Sequence, residues 1–248
     1  MCTVSFIARQ RGYLLAMNRD EQRTRPAGRL PHRRTLAGRT VLGPAEPGGG
    51  SWFTVNDTGT AFALVNWYSV PAPIQANSLS RGEVVNAVSA QTDAAGAAAV
   101  LAALPLKRVN PFRLIGVFPA RREVVEWRWN LNALVRVDHL WRAQQFISSG
   151  LDEPQAQRVR SRIFRQASRL SSAGTLAWLR RLHRSHLPVC GPFSTCMHRP
   201  DAATVSYTEL SVSATAATLR HLNAAPCEWR SLKPAQTAIH RLELRPAV

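Results

Sequence analysis

"MCTVSFIARQRGYLLAMNRDEQ", residues 1–22, opens the chain. Two apolar runs, 2–8 and 13–19, are separated by Arg9-Gln10-Arg11-Gly12, which supplies turn chemistry, so the stretch reads as a β-hairpin. A two-residue loop at Gln10-Arg11 pairs Arg9 with Gly12 and sets Cys2 opposite Arg19; a turn shifted by one residue places Asp20 or Glu21 there instead. Each of these registers brings a cysteine beside a charged cluster. A guanidinium near a thiol favours the thiolate, which is the reactive form. Removal of Met1 would leave Cys2 with a thiol and a free α-amine on adjacent atoms. Such an amine has a reference pKa of about 7.7–8.0 and can act as a general base near neutral pH. Asp20 is placed to orient and balance it, and a side chain as small as cysteine lets the initiator methionine be trimmed.

The rest of the chain follows the same grammar. Residues 22–48 read as a long polar connection rich in Pro and Gly. A second hairpin is expected from Trp52–Asn56 and Ala61–Trp67 around a turn at Asp57-Thr58-Gly59. Ser80 with Glu83 three residues later has the form of a capping box, which starts a helix. A second helix is expected over 92–104, ending before Pro105. Strands follow at 112–118 and 123–129, joined by 119–122, with another at 133–137. Residues 153–187 read as helical, with Leu176, Leu179 and Leu182 on one stripe. A late hairpin turns at Pro200-Asp201, and 215–223 is expected as an edge strand. Hairpins with grouped helices between them predict an α+β fold. No repeat or linker divides the chain, so one domain over 1–248 is expected.

Nearly half of the 248 residues are hydrophobic, which excludes wholesale disorder. No apolar run approaches the roughly 20 residues of a bilayer span, and the N-terminus lacks a secretory pattern, so a soluble, cytoplasmic protein is expected. The net charge is +17, and all but two of the 32 basic residues (Lys107 and Lys233) are arginine. They are scattered along the chain. The cluster from Arg23 to Arg39 lacks aromatics for base stacking. The cluster from Arg158 to Arg169 reads as a helix with Val159, Ile163 and Phe164 towards a core and its arginines towards water. Nucleic acid is therefore not the expected partner; a small amide or anionic ligand is. Cys2, Cys190, Cys196 and Cys227 show no zinc-type spacing, and a cytosolic setting argues against disulfides. No metal site is expected.

The segments "MCTVSF…LLAMNRDE", "GGSWFTVNDTG", "ALVNWY" and "SRGEVV" resemble, in order from Cys2 to Val85, the NRDE family, also called the transport and Golgi organisation protein 2 family. Beyond them the resemblance thins to "SSGLDEP" and "TVSYTEL". In its opening that family is similar to N-terminal-nucleophile hydrolases of the choloylglycine hydrolase and penicillin V acylase kind. The resemblance implies a four-layer αββα sandwich with antiparallel sheets. It implies Cys2 as the nucleophile, its α-amine as the base, Arg19 and Asp20 beside them, and Asn66 as oxyanion donor. Asn18 and Ser149 are implied as substrate contacts. The later chain departs from the family pattern. Ser149 stands where an asparagine is usual, Phe193 where an arginine is usual, and Leu210 follows Glu209 in place of an arginine.

Two functions are therefore carried forward. One is an amidohydrolase that cleaves a non-peptide C–N bond through Cys2 and needs no cofactor. The other is a non-enzymatic carrier of haem or a small ligand on the same scaffold. His183, His186, His198 and Cys196 are conceivable haem ligands, with His183 and His186 expected to face solvent.

Overall fold

The computed structural model describes residues 2–70 and 78–245. β1 (Cys2–Ala8) and β2 (Tyr13–Gln22) form the opening hairpin. Its register is the one with the turn at Gln10-Arg11: Cys2 pairs with Arg19 and Ala8 with Tyr13. Gly12 sits at φ +97°, and a Cβ there would lie 2.0 Å from the Val212 carbonyl oxygen. Only glycine satisfies both conditions.

The sequence expectation for 22–48 is overturned. That stretch contains β3 (Arg29–Leu36) and β4 (Arg39–Ala45). β3 is an edge strand, largely exposed and arginine-rich, so the alternation that marks a half-buried strand is absent from it. β5 (Phe53–Asn56) and β6 (Ala61–Asn66) form the expected second hairpin. α1 (Arg81–Val88) is capped by Ser80, which accepts from the Gly82 N–H rather than from Glu83 as a capping box would require. α2 (Ala94–Ala103), β7 (Phe112–Phe118), β8 (Glu123–Trp129) and β9 (Leu134–His139) fall where expected. β10 (Gln144–Ser148) is an additional short strand. The expected helical stretch breaks into α3 (Glu153–Ala167) and α4 (Leu176–His183). β11 (Ala202–Val212) follows the turn at Pro200-Asp201, with Arg199 N–H donating to the Ala202 carbonyl. β12 (Ala216–Leu222) is covered by β13 (Thr237–Glu243), so β12 is internal and β13 is the edge.

The strands assemble into two antiparallel sheets, ordered β10-β1-β2-β11-β12-β13 and β3-β4-β5-β6-β7-β8-β9. Between them lies a core in which Val4, Phe6, Leu15 and Met17 of the first sheet meet Phe53, Val55, Ala63 and Ile115 of the second. The outer face of the first sheet, through Ile7, Leu14 and Ala16, packs on Ile163, Trp178 and Leu179 of α3 and α4. The outer face of the second, through Phe62, Leu64 and Leu114, packs on Val84, Val88 and Leu101 of α1 and α2. The order of layers is thus α-β-β-α. Each large apolar side chain removed from water stabilises by about 1.5–3 kcal/mol, so both faces of both sheets hold the stack together.

Candidate active site

Antiparallel pairing lines up four residues on the inner face of the first sheet: Ser148, Cys2, Arg19 and Ser206. Paired residues share a face. Cys2 is buried and lines a cavity of about 280 Å³ at the edge of the inter-sheet core. The lining also includes Leu64 and Asn66 of β6, Trp52 just before β5, Asn110 ahead of β7 and Arg81 of α1. The hydroxyls of Ser148 and Ser206 and the Trp52 indole N–H are buried without a hydrogen-bond partner among the described residues. Of these three, Trp52 lines the cavity, and an unpaired buried donor there is a group that a ligand can satisfy.

Burial pushes the Cys2 thiol up, and the Asp20 carboxylate adds to the rise. The positive charge of the chain-terminal amine, the Asp20 main-chain N–H, which faces the sulfur, and the Arg19 guanidinium pull downward without prevailing. The expected lowering of the thiol by a guanidinium does not prevail: desolvation outweighs the Arg19 charge. The Arg19 charge is also engaged by other groups. Its guanidinium stacks 4.4 Å from the centroid of Trp52 and binds Glu46 at 3.1 Å and Glu21 at 3.3 Å. Arg25 joins the same two carboxylates at 2.9 and 3.0 Å.

Asn18 and Asp20 point the other way. Asn18 is fully buried towards α4, where its Nδ2 donates to the carbonyls of His183 and Thr195 and its Oδ1 meets His183 Nδ1 at 2.9 Å. It binds the scaffold, so its expected place as a substrate contact is corrected. The Asp20 carboxylate accepts from Thr204 Oγ1 at 2.6 Å and pairs with Arg160 at 3.4 Å. Arg160 also donates to Thr3 Oγ1 at 2.7 Å and to the carbonyls of Pro192 and Phe193. This arginine was expected to face water with the rest of its cluster; it is wholly buried instead. A guanidinium thus reaches the loop at Phe193 from α3.

Asn66 ends β6 at the cavity, half-buried, with its amide donating to Tyr68 Oη at 2.8 Å. Ser149 follows β10 and is buried outside the cavity lining; its Oγ accepts from the Leu151 N–H at 3.4 Å. The pairing that β10 makes with Cys2 belongs to Ser148.

Three cavity residues escaped the sequence reading. Arg81 lies within "SRGEVV" as the first residue of α1; burial draws its pKa below the ordinary value, and its guanidinium donates to the Pro111 carbonyl. It enters the cavity because the first turn of α1 rests against the loop at Gly50, so closely that a Cβ on Gly82 would lie 2.7 Å from Gly50 Cα. Asn110 donates to Ser78 Oγ at 2.7 Å. Glu46 precedes "PGGG". The paired glycines were the one available signal for this approach.

Of the conceivable haem ligands, His183 is buried, contrary to the expectation that it faces solvent. Asn18 Oδ1 and Ser5 Oγ engage its two ring nitrogens, and burial brings its pKa down to about 3. His186, Cys196 and His198 converge with Cys227 outside the cavity lining.

A sequence profile described as Transport and Golgi organisation 2 matches residues 1–160. No curated protein sequence matches the chain. Among solved structures, a mutant conjugated bile acid hydrolase from Clostridium perfringens is similar with a TM-score of 0.55 at 7% identity, over 98% of this chain and 97% of that one. Penicillin V acylase from Agrobacterium tumefaciens is similar with a TM-score of 0.52 at 11% identity, over 88% of this chain and 82% of that one. At such identities the likeness concerns the fold alone, an α-β-β-α sandwich like that of these two structures. Among the described residues no helix is long and apolar enough to cross a membrane.

Proposed function

The chain belongs to the transport and Golgi organisation 2 family, and from that premise we propose that it is an N-terminal-nucleophile amidohydrolase acting on a non-peptide C–N amide. The observation that carries this reading is that Cys2 and Asn66, from opposite sheets, line one cavity. With Met1 removed, the Cys2 α-amine takes the thiol proton as the sulfur attacks the amide carbonyl. Charge develops on the carbonyl oxygen, where the Asn66 amide donates. The C–N bond then breaks, the amine leaves with the proton from the α-ammonium, and a thioester remains on Cys2. Water, deprotonated by the same α-amine, hydrolyses the thioester and restores the thiol. Nucleophile, base and donor all come from the chain, so the reaction requires no cofactor.

A base on the nucleophile's own residue suits a buried thiol, because the proton needs to move only at the moment of attack. The cavity wall carries the guanidiniums of Arg19, Arg25 and Arg81 against the carboxylates of Glu21 and Glu46, while Asp20, also in the lining, has its carboxylate paired with Arg160. That balance favours an amide with an anionic group on its acyl or amine side. Asp20 acts through position: its main chain borders the sulfur and its carboxylate is locked by Arg160 and Thr204. A cytoplasmic site of action fits four unpaired thiols.

The arginine-lined cavity also suits a second reading, a carrier that holds a small anionic ligand there and does no chemistry. Incubation with a panel of N-acylated amino acids and N-acyl amines, followed by denaturing intact-mass spectrometry, separates the two. An amidohydrolase yields free amine and an acyl adduct mapped to Cys2, both lost in Cys2→Ala. A carrier protects its ligand and shows neither.

A further inference from the structure

Four side chains that this reaction does not use meet at the far end of α4. His186 lies just beyond the helix, Cys196 and His198 lie on the lead-in to β11, and Cys227 lies on a short 3-10 helix, Pro226–Ser231. Their donor atoms all fall within 4.8 Å of one another. His198 Nε2 is 3.2 Å from His186 Nε2, 3.6 Å from Cys196 Sγ and 3.5 Å from Cys227 Sγ. A neutral imidazole nitrogen offers one proton or one lone pair, yet three donor atoms crowd this one. Hydrogen bonding alone leaves that convergence unexplained. A cation explains it. For a tetrahedral zinc ion with Zn–N of about 2.05 Å and Zn–S of about 2.3 Å, the edges are about 3.3 Å between nitrogens and about 3.5 Å from nitrogen to sulfur.

We infer that His186, Cys196, His198 and Cys227 form a tetrahedral Cys2His2 site for zinc or another divalent cation of the same softness. Thiolate and imidazole ligands select such ions over magnesium or calcium, which prefer oxygen. Four protein ligands close the coordination sphere, which is the mark of a structural site rather than a catalytic one. Binding releases the two thiol protons to solvent, and the two thiolates neutralise the dication. Sequence spacing hid the site, because its ligands come from three separate segments.

The clip has work to do where it sits. From Arg184 to Asp201 the chain has no helix or strand beyond an isolated bridge between His198 and Ala203. The ligands tie both ends of that stretch to the 3-10 helix after β12. Between them, Met197 N–H donates to Thr204 Oγ1 at 2.8 Å, and Thr204 Oγ1 donates to the Asp20 carboxylate at 2.6 Å. The carbonyl of Thr195 accepts from Asn18, and those of Pro192 and Phe193 accept from Arg160. The metal clip therefore holds the loop that braces the outer side of the opening hairpin.

The test is metal analysis of the full chain purified without added metal or chelator, then cobalt(II) titration of protein stripped by a chelator under reducing conditions. One equivalent of zinc, and one equivalent of cobalt with tetrahedral d–d and thiolate-to-cobalt charge-transfer bands, are expected. Cys227→Ser and His186→Ala should lose the stoichiometric metal, while Cys190→Ser, at an exposed thiol outside the cluster, should keep it. Because either ligand variant could fold poorly, the wild-type spectrum stands as an independent readout. Chelation should also lower the wild-type melting temperature, reversibly on adding zinc. Cobalt binding without the charge-transfer bands, absence of metal from the stripped and reloaded wild type, or full retention by both ligand variants would overturn the site.

Discussion

The two faces of one strand divide the labour of this molecule. On β2, Arg19 and Glu21 point between the sheets into the cavity, while Asn18 and Asp20 point into the helix layer. A single run, Asn18-Arg19-Asp20-Glu21, thus contributes every other residue to a candidate site and the remainder to the scaffold that holds it. The difference teaches that a recognisable motif need not be a list of substrate contacts. Strand alternation sorts its members before any chemistry is considered.

Substitution on the two faces should break the protein in different ways. The largest effect is expected on the outer side. Arg160→Met leaves the Asp20 carboxylate buried without its cation, and breaking a buried pair from one side costs about 3–5 kcal/mol. Urea denaturation should show that loss, with the midpoint falling sharply. If stability instead changes by less than 1 kcal/mol, the outer face is not the brace described here. On the inner side, Asn66→Ala should leave the melting curve nearly unchanged while kcat falls about 10²–10³-fold, the usual effect of losing an oxyanion donor. A change confined to KM would make Asn66 a binding residue and remove it from the oxyanion.

Acid offers a third, smaller lever. His183 is held neutral down to about pH 3 in the folded protein, whereas an unfolded histidine takes its proton near pH 6.5. Below pH 6.5 the unfolded chain binds a proton that the folded chain refuses, so stability falls as pH falls. At pH 5 the loss is about 2 kcal/mol relative to neutral pH. His221, held neutral to about pH 4 by the same burial, adds a similar term. His183→Gln should therefore flatten part of the stability profile between pH 6.5 and 5. An unchanged slope would mean that His183 is not closed to protons.

What could be read from the sequence follows the range of the interactions. The opening hairpin and the second hairpin depend on residues close in sequence and carry local turn and alternation signals, while the pairing of Cys2 with Arg19 is one of the registers that those signals leave open. β3 and β13 lacked those signals because edge strands are exposed, and β10 was too short to show a pattern. Arg160 read as a surface residue because the groups that hold it inside, Asp20, Thr3 and the carbonyls of Pro192 and Phe193, lie on other segments. Arg81 sat inside a quoted motif, yet its entry to the cavity depends on Gly82 touching Gly50 across the fold. The cluster at His198 is the extreme case. Its four ligands have no shared local pattern and meet only after the sheets and α4 are in place.

The account turns on Cys2 being both the first residue and the most reactive thiol once substrate geometry is presented. The direct measurement is intact-mass spectrometry of the purified protein, before and after brief treatment with a limiting acyl-mimicking thiol alkylator, with the label mapped. The account predicts a mass lacking Met1 and a label concentrated on Cys2, although Cys190 is the exposed thiol. Retention of Met1, or a label found mainly on Cys190, would contradict it, because the α-amine base and the activated nucleophile would both be missing.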